Sequence, residues 1–281
     1  MISPDDYRIL SDLLKKHSGL ALGDGKAYLL ESRLPPVATQ LGLADLNALI
    51  VMLRGNPSSA AIKAVCDAMT TGETLFFRDT APFTALEQNL LPEAVQRAKA
   101  VGRPVKIWCA ACSSGQEPYS VAMIVAQNEA KLEGVRVEIL ATDYCSQALV
   151  RAKEGIYNQF EVQRGLPITH LVKFFRQTPQ GYQISDELKK RIQFRETNLL
   201  KPFSDLGTFD IIFCRNVLIY FDPATKKDVL ERLAKSMYPG GSLLLGGTES
   251  TLGITDALSR VPGMQASVYR RPSDIVAAKV A

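Results

Sequence analysis

The chain has 281 residues, a formal net charge of +4 and 46% hydrophobic residues, as expected for a globular protein with room for one large domain, or one large and one small domain. No run approaches the roughly 20 apolar residues of a membrane helix, and the mild positive charge lacks the dense basic stripe of many nucleic-acid-binding proteins. The opening sequence MISPDDYRIL lacks the basic and apolar regions of a secretory signal. We therefore expect a cytoplasmic protein with no nucleic-acid partner and no membrane insertion.

The five cysteines are an odd set, which argues against a disulfide framework. Cys109 and Cys112 form a C-x-x-C pair, but a structural zinc site needs about four ligands. The two histidines, His17 and His170, are far from this pair in the sequence, so we expect no metal site. A redox pair is an alternative, whereas the apolar run around Cys109 favours a buried, structural role.

Residues 1–70 carry apolar residues at helical spacing, separated by glycine and proline turns. Helices are predicted at 5–16, 26–40, 44–54 and 58–69. They indicate a small bundle of four helices. Because this region contains no obvious catalytic cluster, we expect it to bind a partner or to serve in packing.

After the segment TTGETLFFRD at 70–79 and a helix predicted at 81–101, strand and helix signals alternate. Strands are predicted at 105–111, 135–142, 192–197, 209–214, 242–247 and 267–271, with helices at 117–127, 146–152 and 224–235. Such alternation predicts an α/β fold with a doubly wound, mostly parallel sheet. A polar stretch at about 157–191, with Pro-Gln-Gly near its middle, predicts a small β insertion.

The loop after the first predicted strand, CSSGQEPYS, has small residues and opens a helix, a place where backbone amides favour an anion. Glu117 stands there and would repel a pyrophosphate, but it suits a cationic ammonium. Asp143 ends the next strand, roughly where nucleotide folds place the acid that binds ribose hydroxyls. The loop has a single glycine rather than G-x-G-x-x-G. A ligand with ribose, an amino group and no phosphate points to S-adenosylmethionine.

The segment FDIIFCRNVLIYF at 209–221 combines a buried strand with a polar mouth. Ligands of open α/β sheets bind beyond the carboxyl ends of the strands, so Arg215, Asn216 and Tyr220 are candidate site residues. A polar turn leaving the core explains the same pattern, and this segment alone does not separate the two.

Four motifs, MTTGETLFFRD, WCAACSSGQEPYS, TNLL and FDIIFCRNVLIYFD, occur in the order and at spacings similar to those of the chemotaxis receptor methyltransferases, the CheR family. The chain resembles this family over nearly its whole length. The resemblance implies a class I S-adenosylmethionine methyltransferase (Rossmann-like) with an all-α receptor-docking domain at 1–70, a linker at 71–84 that contributes to the cofactor site, and a catalytic domain at 85–281 with a β subdomain at about 157–191.

The resemblance also implies an activity and its site. Family members transfer a methyl group from S-adenosylmethionine, leaving S-adenosylhomocysteine, to glutamate side chains on cytoplasmic helices of chemoreceptors. Carried over by motif, the cofactor contacts are Thr74, Arg78, Glu117, Asp143, Asn198, Leu199, Arg215 and Asn216. Glu117 would pair with the methionine ammonium and Asp143 with both ribose hydroxyls. Asn198 would contact the adenine edge beside Leu199, or else cap a turn.

Arg78 and Tyr220 are the candidate catalytic residues. Arg78 would bind the cofactor carboxylate or hold the acceptor glutamate, and a surface salt bridge is its alternative role. Tyr220 would orient the acceptor, and otherwise it is a partly buried aromatic with a satisfied hydroxyl. A glutamate with a pKa of about 4.3 is already ionised at neutral pH, so in-line displacement requires no general base.

Three departures from the family pattern bear on partners. Gly72 stands where the family often has asparagine, so a side-chain contact to the cofactor is absent there. The second helix keeps Lys26 and Arg33 but is otherwise poor in charge, which predicts weaker electrostatic docking to the receptor. The short β insertion around residues 175–184 resembles the type that does not depend on a receptor's C-terminal pentapeptide. The chain is expected to act as a monomer associated with receptor arrays.

Two other functions fit the sequence. One is a methyltransferase with another acceptor, although amino-methylating DNA enzymes usually carry an N-P-P-Y type motif where this chain has Arg-Asn-Val-Leu. The other is a sensor or scaffold that binds S-adenosylmethionine without turnover.

Overall fold

The computed structural model describes residues 2–275. The chain divides into two compact units. The helical unit contains residues up to Thr71 together with Tyr220–Lys226, and the sheet unit contains Gly72–Ile219 and the chain from Lys227 onward. Within the described residues, every helix is too short or too polar to cross a membrane.

The helical unit is built from five helices rather than the four predicted. They are α1 (Pro4–Ser18), α2 (Ala27–Arg33), α3 (Pro35–Gln40), α4 (Leu46–Arg54) and α5 (Ser59–Met69). The prediction of one helix at 26–40 was wrong, because Pro35 and Pro36 have no N–H to continue the hydrogen-bond ladder of α2. The two prolines instead occupy the first turn of α3, where a missing N–H costs little.

Buried leucines form the centre of the helical unit. Leu10 and Leu14 on α1, Leu30 on α2 and Leu49 on α4 are all completely buried, which matches their helical spacing in the sequence. The segment Tyr220–Lys226 joins this unit through the backbone, since the Ala21 amide donates to the Tyr220 carbonyl at 2.8 Å.

The sheet unit contains all ten strands of the described residues. In chain order they are β1 (Val105–Ala110), β2 (Val137–Asp143), β3 (Ile156–Tyr157), β4 (Phe175–Thr178), β5 (Gly181–Ile184), β6 (Ile192–Glu196), β7 (Phe209–Cys214), β8 (Met237–Leu245), β9 (Ser259–Arg260) and β10 (Val268–Arg270). The main sheet has the order β6-β2-β1-β7-β8-β10-β9. Its pairs are parallel from β6 to β8, and β10 runs antiparallel to its neighbours. The predicted α/β class with a mostly parallel sheet is confirmed.

The β insertion is a separate three-stranded antiparallel sheet in the order β3-β5-β4. Strands β4 and β5 are joined by a turn of two residues, Pro179 and Gln180. Strands β4 and β5 have four residues each, so the hairpin is compact, and its shortness relative to the resembled family stays a prediction.

The helices of the sheet unit connect and flank these strands. They are α6 (Ala81–Ala85), α7 (Leu91–Ala100), α8 (Gln116–Gln127), α9 (Ser146–Glu154), α10 (Gln159–Gln163), α11 (Ile168–Phe174), α12 (Asp186–Lys190) and α13 (Pro223–Lys235), whose first turn lies in the helical unit. A π-helical turn at Leu86–Leu90 joins α6 to α7. Pro92, the second residue of α7, has no N–H to donate and accounts for the widened ladder.

Strand register places the site. Strand β7 is buried at every residue, as a central parallel strand should be. Ala110 of β1 pairs with Thr142 of β2 and with Cys214 of β7. The residues that follow, including Asp143 and Arg215, therefore start from one level at the carboxyl edge of the sheet, where ligands of such sheets bind.

Candidate active site

Three segments of the sheet unit meet at this edge. They are the linker residues 72–80, the β1 loop (residues 111–115) and the β7 loop (residues 215–219). The Ser113 hydroxyl donates to the Gly72 carbonyl at 2.6 Å, and the Arg215 guanidinium donates to the Arg78 carbonyl at 2.7 Å. The two strand loops thus each hold the linker by a hydrogen bond to its backbone.

Arg215 is the centre of the arrangement, and its side chain is only 1% exposed. Its Nη1 donates to Glu117 Oε2 at 2.9 Å. Its Nη2 donates to the Arg78 carbonyl and, at 2.7 Å, to Asp79 Oδ2. Its Nε is buried and has no hydrogen-bond partner within the described part of the chain. Because a buried donor of this kind is costly to leave unpaired, the Nε–H offers a place for an acceptor from a ligand.

Glu117 lies in the first turn of α8 and is 8% exposed. Burial raises the pKa of its carboxyl group, and the neighbouring Arg215 and Arg78 lower it by less. The α8 N-terminus also favours a negative charge at this position. Glu117 therefore supplies a buried carboxyl group beside two cationic side chains.

Asp143 follows the core of β2 and is 7% exposed. Its Oδ2 accepts from the Ser113 amide at 2.7 Å, and its Oδ1 accepts from the Cys145 amide at 2.8 Å. The same side chain thus shapes the β1 loop and places a carboxylate at the end of β2, where its contact with ribose hydroxyls stays a prediction.

Backbone strain concentrates in the three segments. Non-glycine residues with positive φ are Phe77 (50°), Asp79 (68°), Thr80 (46°), Ala111 (58°), Ser113 (49°) and Asn216 (58°), with Glu133 (51°) elsewhere. Each such residue costs on the order of 1 kcal/mol or more and persists only where surrounding contacts impose it. Strain of this kind marks functional sites more often than ordinary turns.

Aromatic packing anchors the linker. The Phe76 ring is completely buried and lies edge-on to Tyr157 and Phe175, with centroids 4.9 and 5.6 Å away. The Phe77 amide donates to the Ser120 hydroxyl at 3.0 Å. The apolar stretch before Arg78 thus holds the linker against the sheet unit. The Arg78 guanidinium donates to the Glu73 carbonyl at 3.0 Å, and Thr74 between them is half-buried.

Asn198 and Leu199 follow β6, one strand beyond β2. Asn198 Oδ1 accepts from the Leu200 amide at 2.9 Å, which is the turn cap that the sequence allowed as an alternative. Leu199 is buried, and its carbonyl accepts from Arg232 at 2.7 Å. Their contact with adenine stays a prediction.

Tyr220 is the one candidate residue that the structure assigns to the helical unit. Its side chain is half-buried and its carbonyl accepts from the Ala21 amide. Its function at the acceptor stays a prediction.

Cys109 and Cys112 are free and buried. Burial raises the pKa of both thiols well above the ordinary value, so neither is a thiolate at neutral pH. This fits the structural role expected for the C-x-x-C pair.

Sequence analysis missed Glu249, a buried acid that accepts hydrogen bonds from the β7 loop. It follows β8 in a loop of mixed polarity, Gly-Gly-Thr-Glu-Ser, where neither hydrophobic periodicity nor spacing distinguishes a buried carboxylate from an exposed one. The contact joins two loops about thirty residues apart in the chain, so it can be recognised only in the folded structure.

Comparison with known proteins agrees with this geometry. The family model described as "CheR methyltransferase, SAM binding domain" matches residues 72–266, and "CheR methyltransferase, all-alpha domain" matches residues 5–70. The chain is 44% identical over 273 residues to a chemotaxis protein methyltransferase of Vibrio parahaemolyticus, covering 96% of this chain and 98% of the relative. It is 38% identical over 269 residues to chemotaxis protein methyltransferase 1 of Pseudomonas aeruginosa, covering 94% and 97%. The chain belongs to the CheR family of S-adenosylmethionine-dependent chemotaxis methyltransferases.

Proposed function

We propose that the protein is a protein-glutamate O-methyltransferase that methylates glutamate side chains on the cytoplasmic helices of chemoreceptors. The observation that carries the proposal is the buried Glu117–Arg215 pair, which presents a carboxylate and an unpaired Nε–H at the carboxyl edge of the sheet. A zwitterionic amino acid needs both signs of charge in one place. The family membership and the relatives' names supply the chemotactic setting.

The residues present fit the cofactor of the family. Glu117 would hold the methionine ammonium, Arg215 its carboxylate, and Asp143 the ribose hydroxyls, while Arg78 would bind either the cofactor carboxylate or the acceptor glutamate. Additional contacts are proposed for Thr74, Asn198, Leu199 and Asn216. S-adenosylmethionine supplies an electrophilic methyl group and leaves as S-adenosylhomocysteine.

The chain's own residues would bind the cofactor and the acceptor glutamate, orient them and remove them from water. A glutamate acceptor is ionised at neutral pH, so no side chain is needed to take a proton from it. Arg78, on the strained linker, would hold the acceptor carboxylate, and Tyr220, four residues after Asn216 in the chain, would orient it. Positioning of this kind replaces a bimolecular encounter and supplies most of the rate enhancement.

Receptor docking is proposed for the helical unit. Its α2 carries few cationic side chains, and Arg33 donates to the Met69 carbonyl at 3.0 Å, so part of its charge is used inside the unit. We infer weak electrostatic docking, without a C-terminal pentapeptide, by a monomer that works in the cytoplasm at receptor arrays. The two-residue turn between β4 and β5 supports the pentapeptide-independent mode.

The test uses methyl-labelled S-adenosylmethionine and cytoplasmic fragments of chemoreceptors, with and without the C-terminal pentapeptide. We expect base-labile label on the receptor, equal for both fragments and lost when the target glutamates are changed to alanine. Cofactor binding with no base-labile label on any receptor would contradict the proposal and favour a sensor or scaffold. Base-stable label would indicate a different acceptor group.

A further inference from the structure

Glu249 is a carboxylate held by backbone amides of the β7 loop. It is 7% exposed and lies in the loop after β8. Its Oε1 accepts from the amides of Val217 (3.1 Å), Leu218 (2.8 Å) and Ile219 (3.3 Å), and its Oε2 accepts from those of Asn216 (2.8 Å) and Gly246 (2.7 Å).

Within residues 2–275, every hydrogen bond found to this buried carboxyl group comes from a backbone amide. The ion pairs found among residues 2–275 do not include Glu249. A buried carboxylate is stable when several amides donate to its charged form, and successive amides of a tight turn form an anion-binding concavity. The four amides from Asn216 to Ile219 form such a turn, so the position of Glu249 fixes the course of the β7 loop.

Gly246, on the other side of Glu249 Oε2, has no space for a side chain. A Cβ at Gly246 would lie 2.8 Å from Glu249 Oε2, 2.8 Å from Asn216 Nδ2 and 3.0 Å from the Asn216 amide. Two of these atoms belong to Asn216, whose positive φ of 58° is held by the contact. Gly246 and Glu249 thus clamp the residue that directly follows Arg215.

We propose that Glu249 is a positioning residue for methyl transfer. By fixing the amides of the β7 loop, it holds Asn216 in its strained conformation and directs the Arg215 guanidinium toward Glu117 and the linker. This inference rests on the proposed cofactor contacts of Arg215 and Asn216. It gives the acid after β8 a function in ligand binding that goes beyond stabilising the loop.

Strand β7 offers a matched control at its other end. Asp210 is completely buried, and it accepts from Arg103 at 2.7 and 2.9 Å and from the Lys106 amide at 3.0 Å. Like Glu249, it is a buried acid that binds a backbone amide. Because it lies near the amino end of the strand, its loss should affect stability without reaching the β7 loop.

The experiment compares E249Q, G246A and D210N by calorimetric binding of S-adenosylhomocysteine, turnover with receptor fragments, thermal unfolding and amide hydrogen exchange. In E249Q, the side-chain NH2 group replaces one carboxylate oxygen, so its two N–H donors face backbone N–H donors. In G246A, the added methyl group displaces Asn216. Both variants should weaken S-adenosylhomocysteine binding and lower kcat by about tenfold or more, with faster exchange at residues 216–219. D210N should unfold at a lower temperature and keep the wild-type affinity for S-adenosylhomocysteine and the wild-type kcat.

Equal losses of melting temperature in E249Q and D210N, with binding and kcat unchanged in both, would overturn the inference. So would unchanged exchange at residues 216–219 in E249Q. Binding and exchange do not depend on the acceptor, so a wild-type protein that binds S-adenosylhomocysteine but labels no receptor would contradict the proposed function and leave this test intact.

Discussion

At both ends of strand β7 a buried carboxylate pairs with an arginine, but the two pairs differ in the hydrogen-bonding groups that stay unpaired. At the amino end, the two oxygens of Asp210 accept from Arg103 in a bidentate pair, and one also accepts from a backbone amide. At the carboxyl end, Arg215 keeps an unpaired Nε–H and Asn216 has a positive φ. An unpaired donor alone does not mark the ligand-binding end, because the Nε atoms of Arg97 and Arg191 are also buried without a partner among the described residues. The difference teaches that ligand chemistry belongs where an unpaired donor occurs together with a buried carboxylate and a strained backbone.

The presence of a large cleft does not identify the ligand-binding end of the sheet. A cleft of about 630 Å³ lies at the amino ends of the strands, lined in part by Arg136, Glu138, Glu129 and Arg191. Arg136 pairs with Glu138 at 2.5 Å, and Arg191 pairs with Glu129 at 3.0 Å. Its lining also includes Lys106 and Lys190, and its two acids, Glu129 and Glu138, are not buried, so the cleft lacks the buried carboxylate that the carboxyl end offers to an ammonium group.

The largest effect is expected for R215A. Removing this guanidinium leaves Glu117 buried without its partner, so the free energy of unfolding should fall by about 3–5 kcal/mol and S-adenosylhomocysteine binding should be lost. Denaturant unfolding and calorimetry measure the two effects. R103A is the control at the amino end, and it should lose comparable stability while keeping wild-type affinity. Wild-type affinity in a folded R215A protein would break the comparison.

The pH dependence of binding should also be large. Burial raises the pKa of Glu117 above its ordinary 4.5, and only the ionised carboxylate attracts an ammonium. S-adenosylhomocysteine affinity should therefore fall with decreasing pH at a higher pH than an ordinary glutamate would give. E117Q should bind weakly and lack this pH dependence. A wild-type affinity that stays flat from about pH 7 down to 4.5 would contradict the role of Glu117.

The same pKa shift has a defined effect on stability. Because the pKa of Glu117 is higher in the folded than in the unfolded protein, its contribution to stability is greatest below the unfolded value and is lost as the pH rises through the folded value. E117Q should remove this loss, which makes the difference in stability between E117Q and wild type increase with pH. Denaturant unfolding at several pH values measures it, and a constant difference would contradict the raised pKa.

R78A should separate turnover from stability. We expect kcat to fall by about tenfold, as for one lost charged hydrogen bond. The free energy of unfolding should change by less than about 0.5 kcal/mol, because the guanidinium contacts an exposed linker carbonyl. R164A is a matched control, since Arg164 also contacts Glu73, at 3.3 Å, and should keep wild-type kcat. R78A with unchanged binding and turnover would remove Arg78 from the proposed site.

The smallest effect is expected for G72N, which introduces the residue common in the family. A Cβ at this position would lie 3.2 Å from the Ser113 hydroxyl, so the hydroxyl must move by a few tenths of an ångström. The new amide adds one hydrogen bond, which should strengthen S-adenosylhomocysteine binding by about twofold or more. G72A adds the Cβ without the amide and should not strengthen binding. Equal affinities of G72N and G72A would show that the asparagine amide makes no contact.

The main strands could be predicted from the sequence because their buried residues form continuous apolar runs. The apolar runs of β1 and β7 predicted central parallel strands, and parallel register then brought Glu117, Asp143 and Arg215 to one edge. Sequence analysis missed β9 because a ladder of two residues leaves no apolar pattern. It also took residues 26–40 as one helix, because the apolar spacing continues through the proline pair.

The contacts that shape the site could not be predicted in the same way. Arg215 holds the linker through the Arg78 carbonyl and Asp79, more than 130 residues earlier in the chain. Glu249 binds backbone amides, which carry no sequence signal at all. Residue types and strand ends identify which side chains converge, whereas backbone hydrogen bonds between distant loops depend on the folded structure.

The central claim is that the Glu117–Arg215 pair binds the amino-acid end of the cofactor. The most direct measurement compares the calorimetric affinities of S-adenosylhomocysteine and of 5′-methylthioadenosine, which lacks that end, in wild type and E117Q. The account predicts that wild type prefers S-adenosylhomocysteine, and that E117Q loses this preference while binding methylthioadenosine as wild type does. An E117Q protein that keeps the full preference for S-adenosylhomocysteine would contradict it.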